Sequence, residues 1–270
     1  MNPALSAPIS RTAQPPVEVS LDDLLEPAME RASGSESLMP TQIEVSVQQH
    51  RCKLTKMMLL GARGSGKPAR IALLGGLDAG SFSSIAAVGN LLLKLESNAA
   101  ASKDCAIFAY PIVNPLGFEP EAAPVESFQM RYAKDAPDAD IQFLKSEMQN
   151  WAFDGAISLR TSPGVSGLHA RVRGELLARE VVIPALEALG RKLPLHSTPV
   201  EILEPSRLAR KTANKTGSSF HLCESRARAF EIELVVPAHQ TEKEQTEAFC
   251  AATLDILMRY RRGFSRAQNI

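Results

Sequence analysis

Four short apolar runs constrain this chain more than any other feature. Arg70–Leu74 (RIALL), Ala106–Val113 (AIFAYPIV), Gly155–Leu159 (GAISL) and Ala229–Val236 (AFEIELVV) read as strands. The first two are continuously apolar, as expected of strands covered on both faces. Between the runs the apolar spacing changes to helical. Ile85, Val88, Leu91, Leu92 and Leu95 mark a helix over Ser83–Leu95, and Ile141, Leu144, Met148 and Trp151 mark another over Asp138–Trp151. A third helix is expected over Arg173–Leu189, broken or restarted near Pro184. A fourth is expected over Gln240–Arg261, with Phe249, Leu254, Ile256 and Leu257 inward. Alternating strands and helices predict an α/β protein with a largely parallel sheet between helical layers. Gln42–Val47 and Lys53–Leu60 add two strands before residue 62, suited to an antiparallel hairpin on the sheet edge.

The N-terminal 40 residues read differently. Residues 1–17, rich in Pro, Ser and Ala, suggest a loose arm. Ser20 is placed to cap a short helix, and Ala32–Pro40 reads as a loop. With no repeat and no break in composition after residue 40, the expected division is an arm and helix over 1–40 and one domain over 41–270.

Composition narrows the function classes. Thirty Lys and Arg balance thirty Asp and Glu, which speaks against a bulk electrostatic binder of nucleic acid or membrane. No apolar run approaches the ~20 residues that span a bilayer. The first residues have neither a basic start nor an apolar core, so no signal peptide is expected. The cysteines, Cys52, Cys105, Cys223 and Cys250, form no CxxC pair. They are expected to be reduced thiols of a cytoplasmic protein.

One motif invites a nucleotide. Gly61-x-x-x-x-Gly66-Lys67 has phosphate-loop spacing after an apolar strand. The residue that should bring a hydroxyl to magnesium is Pro68, which offers neither hydroxyl nor N–H. The chain then runs into a strand, leaving no helix N-terminus to seat a phosphate. The favoured reading is a Gly-rich hairpin loop, with nucleotide binding as the weakest functional alternative.

Three segments and a fourth, in order, resemble the zinc carboxypeptidase superfamily, including its succinylglutamate desuccinylase and aspartoacylase relatives. Arg70–Gly80 (RIALLGGLDAG) is similar to that family's strand and Gly-Gly-x-His-x-x-Glu turn. Ala109–Phe118 (AYPIVNPLGF) is similar to Pro-x-x-Asn-Pro-x-Gly-Phe, the most specific of the blocks. Asp154–Ser162 (DGAISLRTS) is similar to a strand ending in Leu-His-Thr, and Phe230-Glu-Ile-Glu-Leu to Phe-Thr-Ile-Glu-Leu. The resemblance covers roughly residues 40–260. It implies a three-layer α/β/α sandwich around a mixed sheet of about eight strands. It also implies one zinc ion held by His-x-x-Glu and a later His, a Glu that activates water, and Asn and Arg groups that hold a substrate carboxylate.

Carried over residue by residue, the resemblance gives an altered site. The metal positions fall on Asp78, Ser81 and Arg160, the general base on Glu233, and the carboxylate-holding groups on Arg131, Asn114 and Arg160. Zinc needs about three N, S or carboxylate donors. Guanidinium has no lone pair to give and stays charged. The expectation is therefore no cofactor, with zinc present only if other ligands serve. Arg160 is expected to occupy the place of the metal and pair with Asp78, Glu233 or both, since two unpaired carboxylates in a cleft are costly. Glu231, two residues before Glu233, shares its strand face.

The other candidates are weaker. His50, His169, His196, His221 and His239 have no local clamp spacing. His221 and Cys223 lie two apart with nothing to orient them as a nucleophile pair. Ser81, Ser83 and Ser84 read as capping groups rather than a nucleophile elbow. The leading expectation is an inactive carboxypeptidase-like protein that binds a peptide, an amino-acid carboxylate or a partner chain. The alternative is a metallocarboxypeptidase or N-acyl-amino-acid amidohydrolase with atypical metal ligands.

Overall fold

The computed structural model of the chain describes residues 20–64, 67–119, 127–203 and 229–268. The expected arm over 1–17 and the His221/Cys223 pair lie outside them.

Eight strands make one mixed sheet. They are β1 (Leu38–Val47), β2 (His50–Leu60), β3 (Ala69–Leu74), β4 (Cys105–Tyr110), β5 (Gly155–Ser162), β6 (Leu168–Arg173), β7 (Leu195–Leu203) and β8 (Phe230–Pro237). Their order is β1-β2-β4-β3-β5-β8-β6-β7. The centre, β4-β3-β5-β8, is parallel, while β1-β2, β2-β4 and β6-β8 are antiparallel. The edge hairpin is the expected β1-β2 pair. The loop after β2 is not a hairpin, however, because β4 lies between β2 and β3 and pairs with both.

The period of two explains the layers. Ile71, Leu73, Ile107, Ile157, Leu159, Ile232 and Leu234 point to one face. There they meet Val88, Leu91 and Leu92 of α2 (Phe82–Glu96) and Phe249 and Ile256 of α8 (Glu242–Gln268). Ala72, Leu74, Phe108, Tyr110 and Ala156 point to the other face. There they meet Phe128 of α4 (Phe128–Ala133) and Ile141, Leu144 and Met148 of α5 (Ala139–Trp151). The result is a three-layer α/β/α sandwich.

The remaining helices are shorter. α1 (Leu21–Ser33) is capped by Ser20, whose Oγ accepts from the Asp22 N–H at 3.2 Å. Set apart from the domain body in the sequence reading, α1 buries Ala28 and Ala32 in the same core as α2. A short helix, α3 (Ala99–Ser102), precedes β4. Over 173–189 the sequence predicted one broken helix. The chain instead finishes β6 at Arg173, then runs through α6 (Glu175–Leu177), a π-helical turn (Ala178–Val182) and α7 (Ile183–Leu189). The wide turn sits just before Pro184, whose missing N–H an ordinary turn would require. β6 and β7 went unread in the sequence. LHARVR alternates apolar and polar residues as a strand should, but it runs on into the helical pattern without a break.

The β1-β2 turn is built from residues ill suited to it. Gln48 and Gln49 have φ of 46° and 75°, the left-handed pair that a two-residue hairpin requires and that Asn-Gly supplies more easily. Gln49→Gly should stabilise the protein by about 1 kcal/mol, measurable as a higher urea midpoint at unchanged m-value.

Candidate functional site

The parallel strands β3, β4, β5 and β8 end on one side of the sheet, where the loops after β3 and β4 meet. They are laced together. Gly75 N–H donates to Tyr110 O at 2.9 Å, Val113 N–H to Gly75 O at 3.1 Å and Asn114 N–H to Gly76 O at 3.0 Å. Gly76 has φ +58°, and a Cβ there would lie 2.9 Å from Pro111 O, so only glycine allows this approach. Asn114 continues the lacing. Its Nδ2 donates to Leu77 O at 3.4 Å and its Oδ1 accepts from Arg131 Nη2 at 3.0 Å.

Arg131 and Asn114, expected to hold a carboxylate, are both buried and bonded to one another. Arg131 keeps 3% of its side chain exposed. Its Nη1 reaches Asp138 at 2.8 Å and Asp140 at 3.1 Å, and its Nη2 reaches Asp140 at 2.8 Å. Burial works against the Arg131 charge, but the two aspartates outweigh it and raise the pKa. Through its two Nη atoms the cation ties α4 to the start of α5 and to the Asn114 turn.

Asp78, Arg160 and Glu233 do converge. Asp78 sits in the loop after β3, Arg160 near the end of β5 and Glu233 on β8, opposite Ser158 in the ladder. Arg160 Nη2 donates to Asp78 Oδ1 at 2.6 Å, while its Nε lies 3.2 Å from both carboxylate oxygens. The Thr161 N–H adds a bond to Asp78 Oδ2 at 3.2 Å. Arg160 Nη1 reaches Glu233 Oε2 at 3.5 Å, a long contact. Burial again opposes the guanidinium charge, and Asp78 followed by Glu233 overcomes it, so the Arg160 pKa is raised.

The pairing does not stop at Glu233. Arg171 Nη1 donates to Glu233 Oε1 at 2.8 Å, and Arg171 Nε to Glu201 Oε2 at 3.1 Å. Arg173 meets Glu231 at 3.4 Å. The register dictates this, since Arg171 lies opposite Glu233, Arg173 opposite Glu231, and Glu201 opposite Arg171. The sheet face that is apolar over β4, β3 and the start of β5 therefore turns into a ladder of alternating charge across β5, β8, β6 and β7. Arg171, Arg173 and Glu201 were missed in the sequence because β6 and β7 were missed.

Zinc does not fit this donor set. The carboxylate of Asp78 is bonded by Arg160, and that of Glu233 is shared between two arginines. Ser81 is buried with its hydroxyl turned to Ser84 Oγ at 3.2 Å. A guanidinium lies where a third ligand would have to approach, and its charge repels a dication. Among the described residues no group of three His, Cys, Asp or Glu side chains could hold a metal ion.

The phosphate-loop motif is closed from within. Asp104 bonds the loop three times, through its N–H to Ala62 O at 2.9 Å, its carbonyl to Ala69 N–H at 2.8 Å, and its carboxylate to Gly64 N–H. A Cβ on Gly64 would collide with that carboxylate. The chain's own anion sits against the loop amide that a phosphate would use, and it would repel one.

The sequence matches no family model and no curated protein. Solved structures do match. A metallo-carboxypeptidase from Burkholderia cenocepacia superposes with a TM-score of 0.61 at 14% identity, over 87% of this chain and 68% of its own. Bovine thrombin-activatable fibrinolysis inhibitor, solved with tick carboxypeptidase inhibitor, gives 0.59 at 13% identity, over 91% of this chain and 98% of its own. A metallo-carboxypeptidase from Pseudomonas aeruginosa gives 0.53 at 15% identity, over 86% and 67%. This is the metallocarboxypeptidase fold. Within that fold, the ladder described above runs across the strands β5, β8, β6 and β7.

His169 on β6 and His196 on β7 also come together, with ring centroids 5.4 Å apart. Twenty-seven positions separate them in sequence, so no local spacing betrays the pair. Cys52, Cys105 and Cys250 are buried free thiols, and burial pushes Cys105 and Cys250 up to about 11. Among the described residues no helix is long and apolar enough to cross a membrane.

If Arg131 is an internal tie, removing it strands two aspartates, one of them fully buried. Arg131→Met should cost about 3–5 kcal/mol of stability, read by denaturant unfolding.

Proposed function

We propose that this carboxypeptidase-fold protein is non-catalytic, that its cleft holds Arg160 in place of a metal ion, and that it binds a carboxylate-bearing peptide or amino acid there. The observation that carries the reading is the paired grip of Arg160 on Asp78, at 2.6 and 3.2 Å. The resemblance aligns both residues with metal-ligand positions. A hydrolase of this fold needs a Lewis acid to polarise the scissile carbonyl and lower the pKa of water. A guanidinium supplies positive charge but binds no water as a ligand, so Glu233 has no metal-bound water to deprotonate.

Ligand recognition falls to the arginines that remain open. Arg160 and Arg171 keep 23% and 36% of their side chains exposed. Among the described residues Arg160 Nη1 is bonded at Glu233 alone, by a long contact, which leaves it able to donate to a second carboxylate. The three buried thiols suit a cytoplasmic location.

The test is metal content and its re-creation. Wild-type protein grown with zinc should purify with less than about a tenth of an equivalent per chain. Arg160→His combined with Ser81→Glu supplies the donor types zinc takes, alongside Asp78, and should take up zinc by elemental analysis. One zinc per wild-type chain, with hydrolysis of carboxy-terminal or N-acyl substrates, would overturn the proposal. In metal-free wild type, C-terminal dipeptides should raise the melting temperature, and Arg160→Met should abolish that shift.

A further inference from the structure

We propose that the outer edge of the sheet, β7 on β6, is an acid-sensitive clasp that opens when His169, packed against His196, takes up a proton. The proposal is independent of what the cleft binds.

The geometry suits His169 to the neutral form. His169 is 5% exposed. Its Nδ1–H donates to the carbonyl of Thr198 on β7 at 2.7 Å, which fixes the tautomer and leaves Nε2 without its proton. His196 Nδ1 lies 3.2 Å from the Ser166 N–H and 3.1 Å from Ser166 Oγ. A backbone N–H can only donate, so Nδ1 of His196 accepts from it, whereas the Ser166 hydroxyl can turn either way. The two rings pack edge to face, so charging both sets like charges against one another.

The surroundings offer little compensation. Facing His169 are Arg171 on its own strand and His196 and Glu201 on β7. Glu201 lies 3.8 Å from His169 Nε2, is half exposed and is already bonded by Arg171 at 3.1 Å. Glu233 on β8, the next carboxylate along, is taken by Arg171 and Arg160. Burial first, then the charges of Arg171 and His196, hold the His169 pKa below its ordinary value, against the Thr198 bond and Glu201. A depressed histidine stabilises the closed form at neutral pH. That stability declines as pH falls through the ordinary value of about 6.5, because the open form takes the proton first.

The ladder is also weakest at this place. The β6-β7 register shifts between Leu168 and Ala170, β7 is an edge strand with Pro199 in it, and the two bonds to His196 tie the 163–167 loop to its start. Opening β7 would carry Glu201 away from Arg171, so the clasp is joined to the charge ladder of the cleft.

The test is amide hydrogen exchange of the whole chain at pH 7.5 and pH 5.5, expressed as protection factors to remove the intrinsic pH effect. Residues 195–203 should lose about tenfold protection at the lower pH, the change for one proton taken up over one unit below 6.5. β3 and β5 should change by less than twofold. His169→Asn keeps a donor for Thr198 O and His196→Asn keeps an acceptor for the Ser166 N–H, and neither can charge. The dependence should vanish in the first variant and shrink in the second. Equal protection of 195–203 at both pH values would overturn the proposal. So would a loss that persists unchanged in His196→Asn, or in both variants, because it would then belong to the carboxylates.

Discussion

The polar half of this structure depends on one constraint, that a carboxylate carried into a cleft must meet a cation. Asp78 is held by Arg160 in a charge-assisted grip. Once Arg160 is spent on Asp78, it reaches Glu233 only at length. Arg171 completes Glu233, and Glu201 completes Arg171. Each partner creates the need for the next, so the chain of opposite charges runs outward until it ends on a half-exposed residue at the sheet edge. Such a ladder adds modest net stability, because desolvation offsets most of the Coulombic gain. What it provides is register: sliding β6 by one residue against β8 would turn every arginine away from its glutamate and drive it into the apolar layer.

The same sheet solves two problems on its two faces. Under α2 and α8 it presents branched aliphatic residues along every central strand, and that face carries the larger apolar cluster. Under α4 and α5 the apolar surface is smaller and richer in aromatics, and it stops short of β8. Where it stops, the ladder begins. Arg131 performs at the helical layer the task that Arg160 performs at the strand ends, holding two acidic residues and a turn in a fixed relation. Both arginines were expected to face a ligand. The one near a strand end is partly exposed, while the other is buried against an aspartate with no solvent exposure.

The parts of this architecture legible in the sequence were those with a strong period. RIALL, the AIFAY part of AIFAYPIV and FEIELVV are strands in the structure, β4 ending at Tyr110 where the run was expected to reach Val113, and α2, α5 and α8 follow their apolar stripes. The resemblance to the carboxypeptidase superfamily rested on turns such as Asn114-Pro115-Leu116-Gly117, and the fold agrees with it. What stayed hidden was non-local. LHARVR alternates as a strand but leads directly into a helix, so β6 merged with α6 and α7. With β6 and β7 lost, Arg173 could not be named as the partner of Glu231 or Arg171 as the second partner of Glu233, nor could His169 be set beside His196. Asp104 gave no local sign that its carboxylate closes the loop at Gly64. Forty residues separate the two, and only the β4 neighbour of both β2 and β3 brings them together.

The lacing of the loops after β3 and β4 gives the cleft unequal walls. On one side, Gly75, Gly76, Val113, Asn114 and Arg131 form a closed set of hydrogen bonds that a single residue cannot leave without stranding another. On the other side the wall ends in β7, a strand with one neighbour and an interrupted ladder. If the outer edge opens as proposed, the strand ends have one fixed flank and one moving flank. Insertions tolerated by this fold would accumulate on that moving side, since a lengthened loop among the laced ones would break the bonds that hold Asp78 under Arg160.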